Sequence, residues 1–220
     1  DTKYCYPTDE SEGLKHIVNL SNILSENMDR TYYACYIEES VFDSVTNPDY
    51  FEFVSTTYND PVDNSYTITG YYAQPRSGVS LQGKITIPGS HNGVSVIGLR
   101  NLKNTSGLTH IYFENPETIR ILDNMDTNPD LKILDFPVGL REITSNALMN
   151  CPKLRYLDKF AETKLVTVGS SIFAGSFNID EGQIEKFQLP GTLVNIAPSA
   201  FMAMGPAGTY PPAGQYCIVE

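Results

Sequence analysis

The chain repeats itself. Leu131, Leu134, Phe136, Pro137, Leu140, Ile143, Ala147 and Leu148 are matched, at an offset of 53 residues, by Ile184, Phe187, Leu189, Pro190, Leu193, Ile196, Ala200 and Phe201. Between these copies lies another, Leu154, Leu157 and Phe160, continuing after an insertion as Leu165, Val168, Ile172 and Phe173. Upstream come Leu108, Ile111 and Phe113 with Ile119 and Leu122, and before them Ile85, Ile87, Pro88, Val94, Ile97 and Leu102, which makes five units. Each opens on alternating apolar residues, the pattern of a short strand with one buried face, and continues with a second apolar spacing that fits a returning turn or helix. A single unit cannot bury its own apolar side, so neighbouring units must stack.

Pro88, Pro137 and Pro190 follow their strands, where a missing N–H ends the ladder and a fixed φ turns the chain. With the continuation Ala147, Leu148, Asn150, Cys151 and Pro152, and the opening Ile85-Thr86-Ile87-Pro88 followed by Asn92-Gly93-Val94, the pattern resembles the BspA-type leucine-rich repeat of bacterial surface proteins. The second unit departs from it, with Glu114 in place of the proline, and the fourth has Ala161 after Phe160. The resemblance implies an α/β repeat fold: a leucine-rich-repeat solenoid with short parallel strands over residues 65–220, closed by a last strand at Tyr216 to Val219. Residues 1–64 are expected to form a small α+β cap with a helix over 9–28, introduced by Asp9 and Glu12 and apolar at Leu14, Ile17, Val18, Leu24 and Met28. Strands are predicted at Thr31 to Ile37, Tyr50 to Val54 and Ser65 to Tyr72, which are rich in Tyr, Phe, Thr and Ile.

Charge narrows the partners. The formal net charge is −11 and is uneven, with 4 basic and 13 acidic residues in 1–80 against 11 and 13 in 81–220. That balance argues against nucleic acid, whose phosphates require concentrated positive charge. No stretch has the roughly 18 consecutive apolar residues of a membrane-spanning helix. Asp1 to Tyr6 lack the basic and apolar regions of a signal peptide, so any export signal is expected to have been removed, and a lipid anchor ahead of Asp1 is left open. Cys5, Cys35, Cys151 and Cys217 fit no metal-ligand spacing, and the first two can form a disulfide or remain free thiols. Cys151, at the buried Asn/Cys-like position of the repeat, is expected to be an unreactive thiol.

No catalytic elbow, phosphate-cradling loop or HExxH motif is present, and no cofactor is implied. The expected role is therefore non-enzymatic binding. In a repeat strand the residues between the inward apolar positions point onto the open face of the sheet. These are Lys84 and Thr86, His110 and Tyr112, Ile133 and Asp135, Tyr156 and Asp158, and Lys186 and Gln188. Those from His110 to Gln188 are the candidate ligand-binding residues, with Tyr112 and Tyr156 as anchors; the structural alternative is that the tyrosines only cover their neighbours. Asp135 and Asp158 fall in one column, where they would attract Ca²⁺, a partner's cation, or a nearby lysine and solvent. The resemblance implies an extracellular, cell-surface or periplasmic protein that binds a protein or glycan on a host or bacterial surface, in an adhesion-like role. A carbohydrate-binding accessory protein, or an enzyme with its site in the N-terminal cap, is the alternative.

Overall fold

The computed structural model describes residues 46–155, 157, 159–177 and 188–202, together with two short strands, β1 (Lys3–Cys5) and β2 (His16–Val18). The chain divides into two compact units, Asp1–Ser44 and Val45–Glu220. In the first, β1 and β2 pair antiparallel, Lys3 against Val18 and Cys5 against His16. The described part of the helix expected over 9–28 is thus a strand; its remainder, the strand at 31–37 and Cys35 lie outside the described residues.

The second unit is a solenoid with two sheets. Strands β3 (Phe51–Asn59) and β4 (Thr67–Pro75) form an antiparallel hairpin. They are followed by β5 (Gly83–Ile87), β6 (Ser90–His91), β7 (Val94–Arg100), β8 (Leu108–Phe113), β9 (Ile121–Asp123), β10 (Ile133–Leu134), β11 (Glu142–Ile143), β12 (Thr167–Val168) and β13 (Asn195–Ile196). The small sheet is β5-β8-β10, all parallel. The larger one runs β3-β4-β7-β9-β11-β12-β13, parallel from β4 onward, with β6 paired to β7. Strand β3 thus belongs to this sheet and to the second unit.

The alternation read from the sequence sets the small sheet: Leu108, Ile111 and Phe113 are buried while His110 and Tyr112 are half-buried. The second half of each unit, where the spacing fits a returning turn or helix, forms a second strand. Leu99, Leu122, Ile143, Val168 and Ile196 stand in register along the larger sheet, one per rung. The first four are fully buried, whereas Ile196 at the last described rung is 51% exposed. Among the described residues the second unit contains no α-helix, only two short 3-10 turns at Pro48–Tyr50 and Phe160–Glu162. In place of helices, tight turns link the rungs through residues with positive φ at equivalent positions: Asn101, Asn124, Asn146, Ser171 and Ser199. Asparagine tolerates this left-handed conformation better than most residues. Asn124 Nδ2 also donates to Asn101 Oδ1 at 2.7 Å, tying adjacent turns.

Between the sheets, Phe136, Phe160, Phe173 and Phe177 pack edge to face with successive centroid distances of 5.2, 5.9 and 5.1 Å. Buried polar groups link the rungs beside them. Asn128 Nδ2 donates to the carbonyls of Leu102 and Met125, and Ser176 Oγ donates to Leu148 O while accepting from Cys151 N–H. Cys151 itself is buried and free, and burial pushes its thiol up to about 11. Glu114, which stands where the first, third and fifth units have proline, accepts the Gly89 N–H at 2.6 Å and so ties the second unit to the first.

Two outcomes are expected. Leu122→Ala should cost about 2–5 kcal/mol of unfolding free energy in a denaturant titration, whereas Ile196→Ala, already half in solvent, should cost less than about 1 kcal/mol. Cys151 should remain unmodified by a thiol reagent in the native protein and react only at the rate of unfolding; rapid labelling would show the rung register to be wrong there.

Candidate functional site

On the outward face of the small sheet, Lys84, His110 and Ile133 stand in register across the three strands, with Thr86 beside Tyr112. Asp135 continues the third rung, its N–H donating to Ile111 O, and Arg155 begins the fourth, its N–H donating to Lys132 O. The rings of His110 and Tyr112 lie 6.1 Å apart and nearly parallel, at 16°. Burial, then the charges of Lys84 and Lys132, lower the His110 pKa to about 4, so its ring is uncharged at neutral pH. Of the cations expected to answer Asp135, the structure supplies an internal one: Lys159 Nζ lies 2.6 Å from Asp135 Oδ1. Asp130 is likewise held, by Lys153 Nζ at 2.7 Å and by the Gly107 N–H at 2.9 Å.

His110, Tyr112, Ile133 and Asp135 therefore share one surface. Gln188 is exposed and lies outside any strand, while Tyr156, Asp158 and Lys186 fall outside the described residues.

The opposite, outer face of the larger sheet carries a cluster that the sequence did not suggest. The tip of the β3–β4 hairpin reaches across the rungs as an arm. Its Tyr58, Tyr66, Ile68 and Tyr72 pack on Ile97 of β7 and Ile121 of β9. Gly98 makes this approach feasible, since a Cβ there would come within 2.6 Å of the Tyr72 ring. Tyr66 Oη accepts from Arg120 Nε at 2.7 Å, and the Arg141 guanidinium lies 4.9 Å from the Tyr66 ring centre. Arg141 Nε also donates to Asp60, forming an ion pair whose aspartate side chain is shut off from solvent.

The arm's electrostatics oppose one another. Burial pushes the Asp60 carboxyl up, but the Arg141 hydrogen bond and the amides of Asp63 and Val62 outweigh it and leave the pKa below its ordinary value. Glu142 is raised by burial and by the charges of Asp123 and Asp60. The buried Tyr58 hydroxyl has no hydrogen-bond partner among the described residues. His91 stacks on Phe53 at 4.2 Å and meets the Tyr71 ring edge-on at 5.4 Å. The only signal that could have marked the arm's docking site is the recurrence of Arg100, Arg120 and Arg141 beside the return strands of successive units.

No known family profile and no curated protein sequence matches the chain. Among solved structures it is similar to the crystal structure of a leucine-rich-repeat protein of T. pallidum, with 20% sequence identity and a TM-score of 0.54 over 72% of this chain. The match spans 66% of that protein, just under two thirds of its length. With the parallel rungs in place, this likeness decides the architecture. The fold is a leucine-rich-repeat solenoid. In its terms, the small sheet is the leucine-rich strand face, and the larger sheet is the return side over which the arm is laid.

The two carboxyls predict opposite pH effects. Asp60, depressed in the folded leucine-rich-repeat unit, stabilises it above the ordinary carboxylate pKa and loses that effect as pH falls through its folded value. Asp60→Asn should therefore cost about 3 kcal/mol near neutral pH and flatten the acid limb of a melting profile. Glu142, raised, binds its proton more readily when folded, so its stabilising effect is present at low pH and lost as pH rises through its folded value. Glu142→Gln should raise the melting temperature at pH 7 and change it little near pH 3.

Proposed function

We propose that this chain is a non-enzymatic interaction protein of the BspA type, secreted or held at a cell surface, that binds a protein partner through the outward face of its small sheet. The observation that carries this reading is the placement of His110, Tyr112 and Ile133 together on that face. They are half-buried side chains on strands whose alternate residues, Ile111, Phe113 and Leu134, are locked in the core. A rigid strand presents aromatic side chains at small entropic cost, and tyrosine supplies both apolar area and a polar tip. A host or bacterial surface protein is the partner class that this family resemblance favours, and a scaffold that recognises such a partner needs no cofactor.

The reading is tested with a partner selected against the purified chain. Replacing His110 and Tyr112 together by Ala should weaken binding by about 2 kcal/mol or more while leaving the thermal melt within a few degrees of the parent, because neither side chain points into the core. Unchanged affinity with an unchanged melt would place binding elsewhere. Lost affinity with a collapsed melt would mean that the pair is structural.

A further inference from the structure

The larger sheet ends in a strand whose outer edge is open. Among the described residues β3 is the terminal strand and pairs with β4 alone. Arg76 N–H donates to Tyr50 O and Asp60 N–H to Tyr66 O, so in this antiparallel register Glu52, Val54, Thr56 and Tyr58 turn their backbone groups toward β4. Phe53, Ser55, Thr57 and Asn59 turn theirs the other way, where no described residue bonds to them. Phe51, at the start of the strand, is already used: its N–H bonds to Pro48 O and its carbonyl accepts from Arg76 Nη2. Ser55, Thr57 and Asn59 are exposed. Edge strands that stay single carry devices against pairing, such as a lysine, a proline or a bulge. From Phe53 to Asn59 there is no charge, proline or glycine, and the register with β4 runs without a shift. Of the acids that flank this neutral stretch, Glu52 and Asp60, the second is tied to Arg141.

We propose that β3 pairs with β3 of a second copy of this chain, antiparallel and about a twofold axis at Thr56, so that the larger sheets of the two copies join. In that register Phe53 meets Asn59 and Ser55 meets Thr57, and every outward N–H and carbonyl of these residues finds a partner. The intervening residues set Val54 against Tyr58 and Thr56 against itself, and β-branched, aromatic and threonine pairs of this kind are favourable cross-strand neighbours. The occupant follows from charge and symmetry. A foreign strand is selected by side-chain pockets or by opposite charge, and this edge offers neither. A chain of net charge −11 meets its own copy at least cost where its surface is neutral, and a twofold contact asks only that the edge be complementary to itself. The partner-binding face proposed above lies on the small sheet, so the dimer presents it twice, which favours multivalent targets. The pairing itself does not depend on that reading.

Sedimentation velocity of the full chain over a range of concentrations should show a reversible equilibrium between monomer and dimer. Ser55→Pro removes an outward N–H and leaves the bonds to β4 in place, so it should weaken the dimer about tenfold or more with little change in the monomer's melt. If that variant fails to fold, Thr57→Lys, which sets a charge on the edge, should weaken the dimer in the same way. Thr56→Cys should cross-link to itself on mild oxidation, because opposed residues of a non-hydrogen-bonded pair have Cα atoms about 4.5 Å apart, within the reach of a disulfide. By hydrogen exchange, the Ser55 and Thr57 amides should be protected in the dimer and exchange freely in the dilute monomer. A chain that is monomeric at every concentration would overturn the inference. So would a dimer that both edge variants leave intact, or one in which Thr56→Cys forms no bond to itself, since either places the contact elsewhere. A monomer whose Ser55 and Thr57 amides become protected only when a selected protein partner is added would overturn it in favour of a foreign strand.

Discussion

The second unit depends on one constraint: no rung can bury its apolar column without the rung beside it. Leu122 and Ile143 are fully enclosed because Leu99 lies in register on one side and Val168 on the other. At Ile196, on the last described rung, the same inward position is half in water. Each enclosed aliphatic side chain contributes about 1.5–3 kcal/mol against leaving it exposed, so the stabilisation lies between units and not within them. The polar groups follow the same logic. Asn128 and Ser176 satisfy carbonyls of preceding turns, which would otherwise be buried without partners at a cost of about 1–3 kcal/mol each.

The arm adds a second, longer connection. A solenoid in which each unit touches only its neighbours can open one rung at a time. Here Tyr66 is bound to Arg120 and Asp60 to Arg141, so a hairpin at the start of the array is fastened two and three rungs further on. That fastening covers Ile97 and Ile121 on the side away from the small sheet. The two faces of the solenoid are thereby made unequal: the return side is covered by the chain itself, and the leucine-rich strand face carries the outward row through His110.

The small sheet was legible in the sequence because a strand with one buried face writes its period directly. Leu108, Ile111 and Phe113 went in, and His110 and Tyr112 came out, as the alternation demands. The return strands were less legible. Spacings such as Leu140 to Ile143 are shared by a turn, a helix and a strand, and a paired strand of two residues is too short to show a period of its own. Over residues 9–28, apolar positions of helical spacing included Ile17 and Val18, but both are β-branched, and pairing with β1 takes precedence there. The arm could not be read at all. Asp60 and Arg141 are 81 positions apart, and nothing local to either announces the other. Its consequence for function is a matter of exclusion, since Tyr58, Tyr66 and Tyr72 are tyrosines that composition alone would have counted as available for binding.

Native-state hydrogen exchange tests most directly whether stability resides between the rungs. Return-strand amides donate to the rung before them, as Thr144 N–H does to Leu122 O and Gly169 N–H to Ile143 O, while Ala197 N–H to Val168 O belongs to the last described rung. If stacking and the arm together hold the array, protection should be greatest for the amides of β9 and β11, which have rungs on both sides and lie under or beside the arm, and should fall toward β13. Protection that is uniform from β7 to β13, or weakest at β9 and β11, would contradict the account.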